Sequence, residues 1–182
     1  MATATAKQSA PAAPAARGKL FPTRHDLPDD TRRQLVALLN AQLADYLDLY
    51  SQVKHAHWNV KGPDFIGMHK LLDELAERLE ESIDEVAERA TALGGVADGT
   101  VRFVAGSTRL PEFPADTHHA HLVAAALADR YAHAGKSTRA AVDAAGDLGD
   151  KDTADLLTNV SRLLDKSMWL LEAHVQVERD NG

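Results

Sequence analysis

Four side chains able to bind a metal ion, His69, Asp73, Asp84 and Glu88, fall within one stretch of twenty residues. Imidazole nitrogen and carboxylate oxygen together suit a first-row ion such as iron, zinc or manganese. On a helix, taking His69 as the origin, they point near 0°, 40°, 60° and 100° at about 100° per residue, so they share one face. They nevertheless form two pairs, His69/Asp73 and Asp84/Glu88, about 22 Å apart along the axis at ~1.5 Å per residue. No single ion can be shared across that distance within one chain. The midpoint of 69 and 88 coincides with that of 73 and 84, at 78.5. Two antiparallel copies related by a two-fold axis near Arg78 and Leu79 would set His69 opposite the partner copy's Glu88 and Asp73 opposite its Asp84. Reciprocal pairing of this kind is what a C2 interface produces. His57, at the end of the preceding apolar stripe, adds a further imidazole near His69 and Asp73. Spacing leaves a second reading open, in which the charges are solvated or salt-bridged and the histidines sit in the core.

The elements that must hold these groups are helical. The apolar share of 45% leans on Ala and Leu, with only 5% aromatics, a composition that favours helix over sheet. Leu35, Leu39, Gln42, Tyr46, Leu49/Tyr50, Val53 and His57 recur at three- and four-residue steps, giving a first helix that Gly62-Pro63 ends. A second runs from about Asp64 to Leu93 and stops at Gly94-Gly95. A third covers roughly Asp116 to Ala145. A fourth starts near Asp152 and carries Leu156, Val160, Leu163, Ser167, Leu170/Leu171 and His174 on one stripe. Between the second and third helices lies a long connection, Gly95 to Ala115, whose segment TVRFVAGS reads as a short helix of its own. The expected fold is all-α: an antiparallel four-helix bundle with a short extra helix in the long second-to-third crossover, the ferritin-like arrangement. The Glu-x-x-His pairs of an intrasubunit di-metal site do not occur in the chain.

Composition also excludes function classes. The absence of cysteine removes disulfides, thiolate zinc sites, iron–sulfur clusters and thiol nucleophiles. No apolar run approaches the ~18–20 residues of a membrane span, and the N-terminus has no apolar signal core, so a cytoplasmic location is expected. The net charge of −7 argues against nucleic acid until it is divided along the chain. Residues 1–24 carry Lys7, Arg17, Lys19 and Arg24 and no acid, which leaves −11 on the remaining 158 residues. This Ala/Pro-rich segment reads as a disordered basic arm, 1–24, ahead of a bundle spanning 25–182. One such arm would hold phosphates weakly at physiological salt, whereas many arms on one particle would act by avidity. His118, His119 and His121 cluster at a helix start; His25, His55, His133 and His174 show no partner pattern.

At these residues the sequence resembles the Dps family, the mini-ferritins also called DNA-binding proteins from starved cells. His57-Trp58-Asn59-Val60-Lys61-Gly62 with Phe65, His69 and Asp73 resembles one signature. Ile83-Asp84-Glu85-Val86-Ala87-Glu88-Arg89 followed by Leu93-Gly94-Gly95 resembles a second. Asp152-Thr153-Ala154-Asp155, Ser161-Arg162, Asp165-Lys166 and Trp169-Leu170 make a third, so the likeness spans roughly residues 25–178. Met68 stands where the family usually has Leu or Val.

The resemblance implies a dodecameric shell built from C2 dimers. His57, His69 and Asp73 of one subunit and Asp84 and Glu88 of its neighbour would form a ferroxidase site. Fe(II) is the implied substrate, hydrogen peroxide the characteristic oxidant and ferric oxide the stored product, with no organic cofactor, no haem and no membrane. Asp129 and Asp155 match acids that line pores, although Lys151 falls where another acid is expected. Apart from the resemblance, Glu77 and Glu81, with Glu80, line the second helix between the two sites and are candidate mineral nucleators, with a solvated acidic face as the alternative. Trp58 is a candidate electron donor, with packing as the alternative. The basic arm could hold DNA, placing the protein in the cytoplasm or on the nucleoid.

Overall fold

The computed structural model describes residues 19–176. Five helices follow in chain order: α1 (Asp29–Asn59), α2 (Phe65–Ala92), α3 (Val101–Ser107), α4 (Ala120–Asp147) and α5 (Lys151–Glu172). Four are long and form a bundle in which α1 neighbours α2 and α4, and α5 neighbours α4 and α2. Polar contacts fix the directions. The start of α1 meets the end of α2, where Arg32 Nη1 donates to the Leu93 carbonyl at 2.8 Å. The end of α1 meets the approach to α4, where the Lys61 amide donates to the His118 carbonyl at 2.8 Å. Neighbouring helices are therefore antiparallel, and the expected bundle with its short crossover helix is the observed one.

The apolar stripes become the core. Leu35, Leu39, Tyr46, Leu49 and Val53 of α1 are fully buried, as are Leu72, Leu75 and Leu79 of α2, Leu127 of α4 and Leu157 and Leu164 of α5. Each such side chain stabilises the fold by about 1.5–3 kcal/mol relative to exposure. Gln42 shares the stripe because its amide reaches the Ser137 carbonyl on α4 at 3.3 Å. Beside it the Tyr46 hydroxyl pairs with Thr138 Oγ1 at 2.7 Å. Buried polar groups must find partners, and these two ties fix how α4 lies against α1.

The long crossover is held by polar side chains spaced along α1. Asn40 donates to the Val96 carbonyl and accepts from the Asp98 amide, both at 2.8 Å. Asp45, fully buried, accepts from the Arg109 amide and from its guanidinium, the shortest contact being 2.7 Å. Asp48 accepts from Thr108 Oγ1 at 2.7 Å, and Gln52 donates to the Pro111 carbonyl at 3.1 Å. The chain thus travels along α1 from Asn40 to Gln52, tied to it by these contacts, and α4 then runs parallel to α2.

Two helix boundaries differ from the sequence reading. The third long helix starts at Ala120, not Asp116, because Thr117 closes a turn onto the Pro114 carbonyl and the His118 carbonyl is taken by Lys61. The fourth long helix ends at Glu172, so His174 lies exposed beyond it and leaves the stripe. Of the expected arm, residues 19–24 are described, and the Phe21 amide donates to the Gly94 carbonyl at 2.7 Å. Gly94 has φ +85°, and a Cβ there would lie 2.6 Å from the Phe21 carbonyl oxygen, so only glycine fits this approach. Lys7 and Arg17 lie outside the described residues.

The α4–α5 turn depends on a buried ion pair. Asp150, only 4% exposed, caps α5 by accepting from the Thr153 amide, and Arg89 Nη2 of α2 meets both its carboxylate oxygens at 2.8 and 2.9 Å. Burial alone would raise the Asp150 carboxyl, but the Thr153 and Arg89 donors outweigh it and hold it below the ordinary carboxylate value. Depression of the folded-state value means stability that is present above the ordinary value, about 4, and lost as pH falls through the folded one. Asp150→Asn, which leaves Arg89 without its anion, is expected to lose about 3 kcal/mol in urea unfolding at neutral pH. Its acid-side loss of stability below about pH 4 should be shallower than in the parent protein.

Candidate metal centre

His57 lies in the last helical turn of α1, and the chain then reverses through Val60 and Gly62, whose φ of +111° permits the tight turn. That reversal brings the second turn of α2 back alongside, so His69 and Asp73 face His57 and Lys54. The two imidazoles stack with ring centroids 3.8 Å apart and 20° between planes. His57 Nδ1 lies 2.9 Å from the His69 carbonyl oxygen, and His69 Nδ1 lies 2.9 Å from that of His57. A carbonyl can only accept, so each Nδ1 carries a proton and donates. A neutral imidazole with its proton on Nδ1 has at Nε2 the lone pair a metal ion requires. Phe65 packs on the His69 ring at 5.0 Å and helps hold its orientation.

Asp73 joins the pair, with Oδ1 3.8 Å from His57 Nε2. The same oxygen accepts from Lys54 Nζ at 2.8 Å. Their mutual hydrogen bond is the leading cause both of the lowered Asp73 carboxyl and of the raised Lys54 ammonium. Lys54 therefore keeps Asp73 ionised and also competes with any cation for it. Nothing in the sequence singles out this lysine; its position one turn before His57 is the only signal that could have found it.

The remaining sequence candidates are distributed as follows. Asp84 and Glu88 are exposed further along α2 and do not meet His69 and Asp73 within one chain. Among the described residues no three His, Asp or Glu side chains converge as a metal site. Glu77 and Glu81 are exposed on α2 between the two pairs. Asp129 and Asp155 are both exposed. The Arg139–Asp165 pair sets the register of α4 on α5, and it puts Asp129 and Asp155 about 30 Å apart along the helices, at ~1.5 Å per residue. They therefore cannot line one opening from a single subunit. Asp150 is spent on Arg89, whereas Lys151 and Asp152 beside it are exposed. Trp58 is 70% exposed, so packing within the chain does not account for it. His119 and His121 lie with ring centroids 6.3 Å apart.

Comparison with known proteins identifies the family. The family model for the ferritin-like domain matches residues 36–180. The DNA protection during starvation protein of Agrobacterium fabrum is 42% identical over 158 residues, covering 87% of this chain and 98% of that one. The chain belongs to the Dps family. A second Dps relative, the DNA protection during starvation protein of Mycolicibacterium smegmatis, is 36% identical over 152 residues, covering 82% of this chain and 81% of that one. Among solved structures, a Dps homologue from Halobacterium salinarum superposes with a TM-score of 0.83 at 30% identity, covering 97% of each chain. Among the described residues, no helix of this Dps-family chain is long and apolar enough to cross a membrane.

Lys54→Met removes the cation that competes for Asp73. It is expected to tighten Co(II) binding roughly threefold, the scale of a half-exposed ion pair, in a spectroscopic titration of the assembled protein.

Proposed function

We propose that this Dps-family chain is a ferroxidase and iron store. It oxidises Fe(II), preferably with hydrogen peroxide, and holds ferric oxide inside a dodecameric shell built from C2 dimers. The observation that carries this reading is the reciprocal Nδ1–carbonyl pairing of His57 and His69, which leaves two fixed Nε2 donors beside the Asp73 carboxylate. Three donors on one side are too few to close a coordination shell. Asp84 and Glu88 stand free on the same helix at the spacing a two-fold partner requires. In the completed site each Fe(II) gives up one electron, and two such electrons with two protons reduce one peroxide to two waters. Carboxylates, being hard and anionic, favour Fe(III) over Fe(II) and so favour the oxidised product. The two imidazoles hold the ion more softly and leave positions open for the oxidant. Trp58, exposed next to His57, is available as an electron donor in the same region. Consuming Fe(II) and peroxide together removes the reactants that generate hydroxyl radical, which protects DNA.

In this reading Asp129 and Asp155 serve openings at opposite ends of the α4–α5 pair, and Glu77 and Glu81 start the mineral. Lys7, Arg17, Lys19 and Arg24 bring the shell to DNA in the cytoplasm or nucleoid by many weak phosphate contacts acting together.

His69→Ala combined with Asp73→Ala should slow peroxide-driven Fe(II) oxidation by at least about 100-fold in stopped-flow absorbance while the shell mass is unchanged. Retention of the parent rate would reduce the centre to a structural role. Deleting residues 1–24 should abolish a DNA mobility shift at low salt and spare iron oxidation; an unaltered shift would take the arm out of the account.

A further inference from the structure

Among the described residues, imidazole rings approach one another at two places. One is the His57/His69 stack at the reversal between α1 and α2. The other is His119 and His121, whose ring centroids lie 6.3 Å apart with 23° between planes. The two pairs differ in what their ring nitrogens do. His57 and His69 each commit Nδ1 to a backbone carbonyl. The imidazole hydrogen bonds of the described residues belong to His25, His57 and His69, and none involves His119 or His121. Neither of these two rings joins an ion pair there, and both residues are exposed.

The backbone beneath the second pair is fixed on both sides. The Lys61 amide donates to the His118 carbonyl at 2.8 Å, and the Val123 amide to the His119 carbonyl at 2.9 Å. Lys61 and His119 form a bridge that joins the end of α1 to the start of α4. His119 is the N-cap residue of α4, and His121 lies in its first turn. Two imidazoles on one metal ion, with metal–nitrogen bonds of about 2.0–2.1 Å, place their centroids roughly 4.5–6.4 Å apart according to the angle at the metal. The observed spacing falls inside that range. Rotation of the exposed rings, without backbone movement, therefore closes both on one ion.

We infer that His119 and His121 form a surface site for a borderline divalent ion of the class Cu(II), Ni(II) or Zn(II). The chemistry selects the class. Imidazole suits these ions, and affinity rises from Fe(II) through Ni(II) to Cu(II). The amide dipoles at the start of α4 oppose a cation, so an ion held mainly by charge, such as Mg²⁺, gains nothing there. No third His, Asp or Glu among the described residues converges on the pair, and water completes the coordination. The site is separate from the candidate ferroxidase centre and does not depend on the ferroxidase reading.

The test is a Cu(II) titration of the assembled full chain, followed by electron paramagnetic resonance at about pH 8, where ordinary imidazole is neutral. A background of His69→Ala with Asp73→Ala removes the candidate ferroxidase centre from the count. One Cu(II) per subunit is expected, with nitrogen hyperfine structure from two imidazoles that excess Mg²⁺ does not displace. His119→Gln and His121→Gln should each reduce the pattern to a single nitrogen and weaken binding at least about tenfold. His133→Gln, an exposed histidine further along α4, should change neither. No stoichiometric site, a single nitrogen with the pair intact, both nitrogens retained in either variant, or equal loss in His133→Gln would each overturn the assignment.

Discussion

Two backbone carbonyls, those of His57 and His69, fix the geometry where the end of α1 meets the start of α2. Each accepts from the other residue's imidazole, so the pairing exists only if the end of α1 and the beginning of α2 meet in one register. A shift of a single residue along either helix would rotate one ring by about 100° and break both bonds at once. The tautomer, the direction of both free nitrogens and the reach of Asp73 all follow from that register. The Val60–Gly62 reversal sets it from the chain, and the buried leucines of the two helices hold it along their length.

The same logic explains the polar side chains inside an otherwise apolar bundle. Asn40, Asp45, Asp48 and Gln52 pin the crossover to α1, while Arg32 and the Arg89–Asp150 pair tie the end of α2 to the starts of α1 and α5. A looser crossover would let α4 and α5 shift against α1 and α2 and carry the register with them. Lys54 works in the other direction, because it keeps Asp73 charged while occupying it. In the proposed centre the lysine would tune how readily Asp73 accepts an ion.

Much of this was legible in the sequence, for identifiable reasons. The helices announced themselves because Leu35, Leu39, Tyr46, Leu49 and Val53 recur at helical spacing; the shared midpoint of His69/Glu88 and Asp73/Asp84 is what the proposed two-fold partner rests on. The crossover anchors escaped notice because Asn40, Asp45, Asp48 and Gln52 spread over about 140° of α1, where polar residues read as an ordinary solvated face. The start of α4 was misplaced because Pro114 and the Lys61–His118 contact take up residues that composition alone assigns to helix. The imidazole–carbonyl bonds were out of reach, since a backbone acceptor carries no sequence signal.

The central claim is that each metal centre is completed by a second copy of the chain, and co-expressed variants test it most directly. His69→Ala and Glu88→Ala each damage both sites of their own dimer. In a mixed dimer both defects fall on one site and leave the other intact. With random pairing, about one quarter of the sites in the mixed shell should be whole. The account predicts Fe(II) oxidation near that fraction of the parent rate when the two are co-expressed, and little from either alone. Activity in the mixture no higher than in the separate variants would contradict it.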